Sequence, residues 1–436
     1  MSTKIKNQKA ILDKLGIESL NPMQEAAQVA IHSNKETILL SPTGTGKTLA
    51  FLLPLISELD MNGSEVQALI LVPSRELAIQ IEQVVREMGA GFKTNAVYGG
   101  RTVSKDKLNI KHRPAILIGT PGRVADHIRK DNFLTTQIRT LILDEFDKSL
   151  EIGFEEEMEE IISSLPNVEK KILTSATQEV EIPTFVELEN PKTIDFLKDG
   201  LNKLKIKVII SPEKDKLPTL VKALCHFGSQ PGIIFCNFKD SIQRVSDHLT
   251  ENGISHGCFY GGMEQKDRER ALIKFRNGTH QLLIATDLAA RGIDVPEIKF
   301  IIHYHLPHRS QEFTHRNGRT ARMQSDGTAY ILQWEEESLP EFIDVTEVEL
   351  LKEAPVPTSS EWRTLFISGG RRDKISKGDI AGLFFKQGEL KHNELGKIEL
   401  KEDCAFAAVP KQKIKSLLKF VDNARLKKKK VRVVEI

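Results

Sequence analysis

Between the apolar run ETILL (36–40) and the helix-spaced run TLAFLLPLI (48–56) lies SPTGTGKT (41–48). A strand that feeds a glycine loop and then a helix is a unit with few uses. Gly44 and Gly46 let the backbone curl so that successive N–H groups converge on an anion. The helix N-terminus adds positive potential at the same point. Lys47 can reach the outer phosphates of a nucleotide, and the Thr48 hydroxyl can ligate magnesium. The loop opens with Ser41 rather than glycine; Ser41, Thr43, Gly44, Thr45, Gly46, Lys47 and Thr48 form the candidate nucleotide-binding loop.

A unit of this kind belongs to an open α/β sheet, and the flanking sequence agrees. ALILVP (68–73), AILIGT (115–120), TLILDE (140–145) and KILTSA (171–176) read as strands, apolar throughout rather than alternating. That is the pattern of a parallel sheet covered on both faces. EAAQVAIHS, ELAIQIEQVVREMG and EEEMEEIISSL read as the helices between them. After the stretch 195–215 the pattern restarts with GIIFCNF (232–238), QLLIATD (281–287) and FIIHYH (300–305). SIQRVSDHLTENG and KDRERALIKFRNG are helices that end at glycines. Two α/β halves therefore stand in tandem, and the second lacks a phosphate loop. An acidic, proline-containing connector follows (335–360), partly helical at most. Residues 361–436 then read β-α-β-β-α-β, the order of a small ferredoxin-like sandwich.

Charge separates these parts. Residues 361–436 hold 19 Lys and Arg against 10 Asp and Glu, leaving 43 against 50 in the rest. A mildly acidic body thus carries a basic tail domain suited to a polyanion. Hydrophobic residues at 40% and charged residues at 28% exclude a disordered chain and a membrane bundle. The longest apolar run, LAFLLPLI, is far short of the ~20 residues of a membrane span. MSTKIKNQKA has charge without an apolar core, so a cytoplasmic protein without a secretory signal is expected. The four cysteines, Cys225, Cys236, Cys258 and Cys404, show neither metal-ligand nor disulfide spacing.

The phosphate loop needs a second metal ligand and a group to orient water. The strand TLIL runs into Asp144, Glu145, Phe146 and Asp147. A carboxylate pair at the end of a strand neighbouring the loop is where both belong. Asp144 is the candidate metal carboxylate and Glu145 the candidate water-orienting group.

SPTGTGKT, PSRELAIQ (73–80), GG (99–100), TPGR (120–123), DEFD (144–147), SAT (175–177), ATDLAARGID (285–294) and HRNGRTAR (315–322) occur in that order. The set resembles a DEAD-box ATP-dependent RNA helicase over roughly residues 15–335. TLFISGGRRDKISKGDIAGL resembles the RNA-binding domain of the DbpA-type bacterial members. The resemblance implies two tandem RecA-like parallel-sheet domains (1–205 and 206–340), an acidic linker (341–360) and a ferredoxin-like, RRM-like α+β domain (361–436).

It also implies roles. Gln24 in NPMQ matches the family's adenine-reading glutamine, although residues 1–24 offer no aromatic to stack on the base. Phe146 stands where the family has alanine. Asp147 would couple to Ser175 and Thr177. Arg319 and Arg322 match arginine fingers supplied by the second half, Asp294 a ribose contact, and His315 a position coupling ATP to RNA. Arg75, Gly100, Thr120 and Arg123 match RNA-backbone contacts in the first half, as do Gln265, Arg268, Thr286 and Arg291 in the second. Phe238 replaces a phosphate-touching threonine. In the tail, Arg371, Arg372, Lys374 and Lys377 with LKKKK (426–430) form a basic surface. Phe366 and Phe406 can stack on bases if they face outward, but the sheet's need for an apolar inner face argues that at least one is core.

The implied activity is RNA-dependent ATP hydrolysis with magnesium, locally unwinding structured RNA. Ribosomal RNA during large-subunit assembly is the expected target, and no obligate protein partner is evident. An ATP-gated RNA clamp with little unwinding is the alternative; a DNA translocase is weaker.

Overall fold

Seven parallel strands form the first sheet: β1 (Glu36–Leu40), β2 (Ala68–Leu71), β3 (Thr94–Val97), β4 (Ile116–Gly119), β5 (Thr140–Leu143), β6 (Lys170–Ser175) and β7 (Lys192–Asp195). Their order is β3-β4-β2-β5-β6-β1-β7. The computed structural model describes residues 7–100, 103–177, 181–197, 204–287, 298–320, 327–345 and 347–436. These fall into two compact bodies that part before Leu204.

Burial on both faces explains the unbroken apolar runs. Ile70, Ile118, Ile142 and Ile172 enter one core with Phe51 and Leu52 of the helix Lys47–Glu58. Their strand neighbours Leu69, Leu117, Leu141 and Leu173 enter another with Met158 and Ile161 of the helix Glu155–Ser163. Each such side chain stabilises the sheet by about 1.5–3 kcal/mol when fully buried. The sheet order corrects one expectation: β5 does not lie beside β1, because β6 intervenes. The end of β6 is thereby placed between the phosphate loop and the DEFD segment.

The second body opens with another parallel sheet: β8 (Leu204–Ser211), β9 (Gly232–Phe235), β10 (Gly257–Phe259), β11 (Leu282–Ala285), β12 (Phe300–His303) and β13 (Gly327–Trp334), ordered β10-β11-β9-β12-β13-β8. The connector after it is extended rather than helical among its described residues. It runs along the edge strand β8, with Val208 N–H donating to the Glu347 carbonyl (2.8 Å) and Glu349 N–H to the Val208 carbonyl (2.8 Å). Lys207 holds both Glu347 (2.7 Å) and Glu349 (2.9 Å). Together these cover a sheet edge that would otherwise pair with another chain.

Four antiparallel strands complete the body: β14 (Trp362–Ile367), β15 (Ile398–Leu400), β16 (Ala405–Pro410) and β19 (Val433–Glu435), in the order β15-β16-β14-β19. A hairpin of β17 (Arg425–Leu426) and β18 (Lys429–Lys430) precedes β19. Leu365, Ile367, Ala407 and Val409 pack with Ile380, Phe384 and Leu417 of the helices Lys377–Lys386 and Ile414–Val421. The expected ferredoxin-like order is present.

One of its aromatics, Phe406, is buried as expected, whereas Phe366 is half-buried. Phe366 and Phe406 pair across β14 and β16 and meet edge to face at 5.6 Å, on the side away from those helices. Neither joins the helix-side core. Their face is instead occupied by the second α/β half. Arg276, the last residue of the helix Gln265–Arg276, donates to buried Glu399 (2.8 Å). The Thr279 and Thr364 hydroxyls share a hydrogen bond of 2.7 Å.

Among the described residues no helix is long and apolar enough to cross a membrane. All four cysteines are free thiols.

Candidate functional site

The phosphate loop is held in shape by its own polar groups. Gly44 and Gly46 take positive φ (+80° and +87°), a conformation that costs glycine little. A side chain at Gly46 would also run into the Gln24 amide. Ser41 has no positive φ, so the loop's first residue needs no glycine. Thr45 Oγ1 donates to the Pro42 carbonyl (2.9 Å), leaving the Ser41 hydroxyl to donate to Thr45 Oγ1 (2.7 Å). Lys47 Nζ, buried, donates to the carbonyls of Ser41 (2.5 Å) and Pro42 (3.2 Å). Thr48 is the second residue of the helix that begins at Lys47, and Thr43 lies in the loop between.

Gln24 is tied to this loop. Asn21 caps the helix Pro22–Ser33 in a reciprocal box with Gln24, and Gln24 Nε2 donates to the Gly46 carbonyl (3.2 Å). Asn21 Nδ2 donates to the Thr45 carbonyl (3.1 Å). Asn21 was not singled out from the sequence, although its place as N-cap before a proline is a readable signal.

At the end of β5, Glu145 adopts a left-handed conformation (φ +48°) that turns the chain sharply into the helix Phe146–Ile152. Thr174 of β6 fixes the turn from the neighbouring strand. Its hydroxyl donates to Asp144 Oδ1 (2.5 Å) and accepts from Glu145 N–H (3.1 Å). Burial away from water, aided by the adjacent Glu145 charge, pushes the Asp144 carboxyl up to about 6, against the pull of Thr174 and Lys47. Glu145 Oε2 is buried with no hydrogen-bond partner. A buried carboxylate oxygen left unmatched is costly unless a ligand or water completes it.

That donor set fits magnesium. Asp144 and Thr48 would supply hard oxygen ligands, and no cluster of three or more metal-binding side chains occurs among the described residues. Magnesium is held by one or two protein oxygens plus phosphates and waters rather than by an all-protein cage.

Of the expected coupling residues, Asp147, Ser175 and Thr177 are brought together, while His315 belongs to the second body. Ser41 N–H donates to the Ser175 carbonyl (3.0 Å), joining the loop to β6. Ser175 Oγ donates to the Thr177 carbonyl (2.7 Å) and accepts its N–H (3.0 Å). Thr177 Oγ1 donates to Asp147 Oδ2 at 3.3 Å. Phe146 finds its room by pointing into the core with Met158 and Ile161.

Around the same sheet, Arg75 begins the helix Arg75–Met88 and lies against Gly99 and Gly100, where a side chain at Gly100 (φ +86°) would strike its guanidinium. Thr120 is the N-cap residue of the helix Pro121–Arg129, its N–H donating to the Val97 carbonyl (3.2 Å). Arg123 Nε donates to Asp106 Oδ2 at 2.9 Å.

In the second half, Gln265 opens the helix Gln265–Arg276 and Arg268 packs over the Phe259 ring (5.1 Å). Thr286 follows β11, and Phe238, 63% exposed, stands at the N-cap of the helix Lys239–Glu251 without a side-chain cap. His315 and Arg319 are buried around the end of the helix Ser310–Asn317. Arg291, Asp294 and Arg322 lie outside the described residues. Arg316 was missed from the sequence. Fully buried, it grips Asp287 with two bonds (2.6 and 2.5 Å) and donates to the His305 carbonyl (2.7 Å) and Asn237 Oδ1 (2.8 Å).

In the tail domain, Arg371, Arg372, Lys374 and Lys377 are exposed. Lys429 pairs with Asp373 (2.8 Å) and Lys427 with Asp379 (2.9 Å). The two basic segments, far apart in sequence, therefore share one surface.

Residues 21–184 match the DEAD/DEAH box helicase family, 215–324 the helicase conserved C-terminal domain, and 364–435 the DbpA RNA binding domain. The ATP-dependent RNA helicase DbpA of Bacillus subtilis is 31% identical, over 97% of this chain and 96% of its own. DbpA of Escherichia coli is also 31% identical, over 97% and 95%. Among solved structures, S. cerevisiae Dbp5 bound to RNA and ADP BeF3 superposes with a TM-score of 0.68 at 25% identity, covering 77% of this chain and 89% of that one.

Proposed function

Because the chain belongs to the DEAD-box ATP-dependent RNA helicases and carries the DbpA RNA-binding domain, it is an RNA-dependent ATPase, and we propose that it remodels structured ribosomal RNA in the cytoplasm during large-subunit assembly. The observation that carries the catalytic part is the Glu145 carboxylate, buried with one oxygen unmatched beside Asp144. Glu145 orients the attacking water, and Lys47 with the loop N–H groups holds the phosphates. Asp144 and Thr48 would hold magnesium, which would supply positive charge to the nucleotide's phosphates. Gln24 reads the base, and Arg319 with Arg322 stabilises charge on the transferred phosphoryl group. Asp294 holds the ribose.

RNA makes hydrolysis conditional. Arg75, Gly100, Thr120 and Arg123 in one half, with Gln265, Arg268, Thr286 and Arg291 in the other, grip one strand by its backbone. Asp147, Ser175, Thr177 and His315 transmit that grip to the nucleotide. Arg371, Arg372 and Lys374 tether the enzyme to its RNA. The exposed Phe238, which offers no phosphate contact, favours the clamp reading as the second choice.

Strand displacement on a short duplex joined to a ribosomal RNA fragment tests the proposal. ATP-dependent displacement supports it, and ATP-gated binding without displacement favours the clamp. Crosslinking the RNA bound in cells tests the target; recovery of mainly non-ribosomal RNA rejects the ribosomal assignment.

A further inference from the structure

Arg123 is not a free cation on the surface of the first body. Its Nε donates to Asp106 Oδ2 (2.9 Å), and Asp106 is wholly buried. Asp106 comes from the helix Val103–Lys111, which follows the Gly99–Gly100 turn, whereas Arg123 comes from the helix Pro121–Arg129. One helical turn after Arg123, the wholly buried His127 points its Nε2 at the same Asp106 oxygen, 3.6 Å away. Asn132 Nδ2 donates to His127 Nδ1 (2.9 Å), which turns the Nε2 edge of the ring toward Asp106. Asp126 Oδ2 lies 3.8 Å from Arg123 Nη1, a weaker second anchor.

We infer that Asp106 is a positioning residue for RNA, which acts by holding the Arg123 guanidinium in its phosphate-binding orientation. The inference rests on the reading of Arg123 as an RNA-backbone contact. A guanidinium has five donors in a rigid fork, so anchoring its Nε edge on a carboxylate fixes the direction of the rest. The anchor is strong because a buried carboxylate deprived of its cation is left uncompensated. Freezing a long side chain in advance removes an ordering cost that RNA binding would otherwise carry. His127, held in place by Asn132, lies against the same carboxylate oxygen. Asp106 also ties the helix Val103–Lys111 to the helix that carries Arg123.

The test uses the full-length protein with oligouridylate as activator, reading the half-saturating RNA concentration, the turnover at saturating RNA and the KM for ATP. Asp106→Asn keeps size and removes the charge. It is expected to raise the half-saturating RNA concentration about tenfold, the loss of one hydrogen bond to a charged group, with saturated turnover and KM unchanged. Arg123→Ala is expected to lose at least as much, and Asp106→Asn to add nothing in that background. Arg123→Lys leaves the buried carboxylate paired but cannot reproduce the fork, so it is expected to lose nearly as much as Arg123→Ala. The inference is overturned if Asp106→Asn uses RNA normally while Arg123→Ala does not, if the two losses multiply in the double variant, or if Arg123→Lys behaves as the parent. An unchanged RNA requirement in Arg123→Ala overturns the RNA-contact reading and the inference together.

Discussion

The two parallel sheets each bury charge near the carboxyl ends of their strands, but they do so differently. In the first, Asp144 is pushed toward neutrality and Glu145 keeps an unmatched oxygen. In the second, Arg316 spends its donors on Asp287, His305 and Asn237 and packs over Phe235 (5.2 Å). One cluster is incomplete until something binds; the other completes itself. Unmet polar capacity marks a site for ligand, whereas a satisfied buried charge marks a scaffold.

The comparison breaks if the two clusters respond alike to mutation. Glu145→Gln keeps the shape and removes the charge proposed to orient water. RNA-stimulated hydrolysis is expected to fall about 10³-fold, while nucleotide affinity, read with a fluorescent ATP analogue, stays within about twofold of the parent. Arg316→Met is the converse case, since it strands Asp287. Urea unfolding followed by a probe in the second body is expected to show a loss of about 3 kcal/mol, with the first body's transition unmoved. A stable Arg316→Met protein with normal turnover would erase the distinction.

The sequence shows the difference between the sheets only in part. β1, β2, β4, β5 and β6 are legible because burial on both faces makes them apolar throughout. β7 is not, since Lys192–Asp195 is an exposed edge strand. β10 has three residues, and β8 and β13 mix polar with apolar positions. The phosphate loop and DEFD are legible because their chemistry requires fixed local spacing. Thr174 is not, because within KILTSA it reads as one more β-branched strand residue, and only the β5–β6 register brings it to Asp144. Asp106 and Arg316 act through partners 17 and 29 residues away. No local pattern encodes such pairs.

Acid sharpens the comparison. His303 ends β12, wholly buried beside Arg316, and burial followed by that guanidinium's charge pulls its pKa down to about 3. Its Nε2–H donates to Asn317 Oδ1 (3.0 Å), and Asp287 is the nearby carboxylate. An unfolded chain takes up a proton near the ordinary value of about 6.5, which the folded imidazole refuses. The stability this ring confers is therefore full above that value and declines as pH falls toward the folded pKa. At pH 5 the expected loss from His303 alone is about 2 kcal/mol. His305, also held down to about 4 by burial, adds to it. Urea midpoints of the second body at pH 7 and pH 5 check the sign, and His303→Gln is expected to flatten the slope.

The smallest expected effect separates the tail domain from an open RNA platform. Phe366 and Phe406 have the outward orientation of base-stacking aromatics, yet Arg276 on Glu399 and Thr279 on Thr364 occupy their face. Stacking on an aromatic is worth about 1–3 kcal/mol per base, so an open platform would lose roughly fivefold or more in RNA affinity on Phe366→Ala. Here the change is expected to stay within about twofold. Arg371→Ala and Arg372→Ala should instead each lower the slope of log affinity against log salt by about 0.7 on single strands. These two arginines and the 426–430 hairpin lie on a different surface, joined by the Lys429–Asp373 and Lys427–Asp379 pairs. If Phe366→Ala weakens RNA binding and leaves the salt slope intact, the covered face must open when RNA arrives. The Arg276–Glu399 pair, rather than the basic loop, would then be the element that RNA displaces.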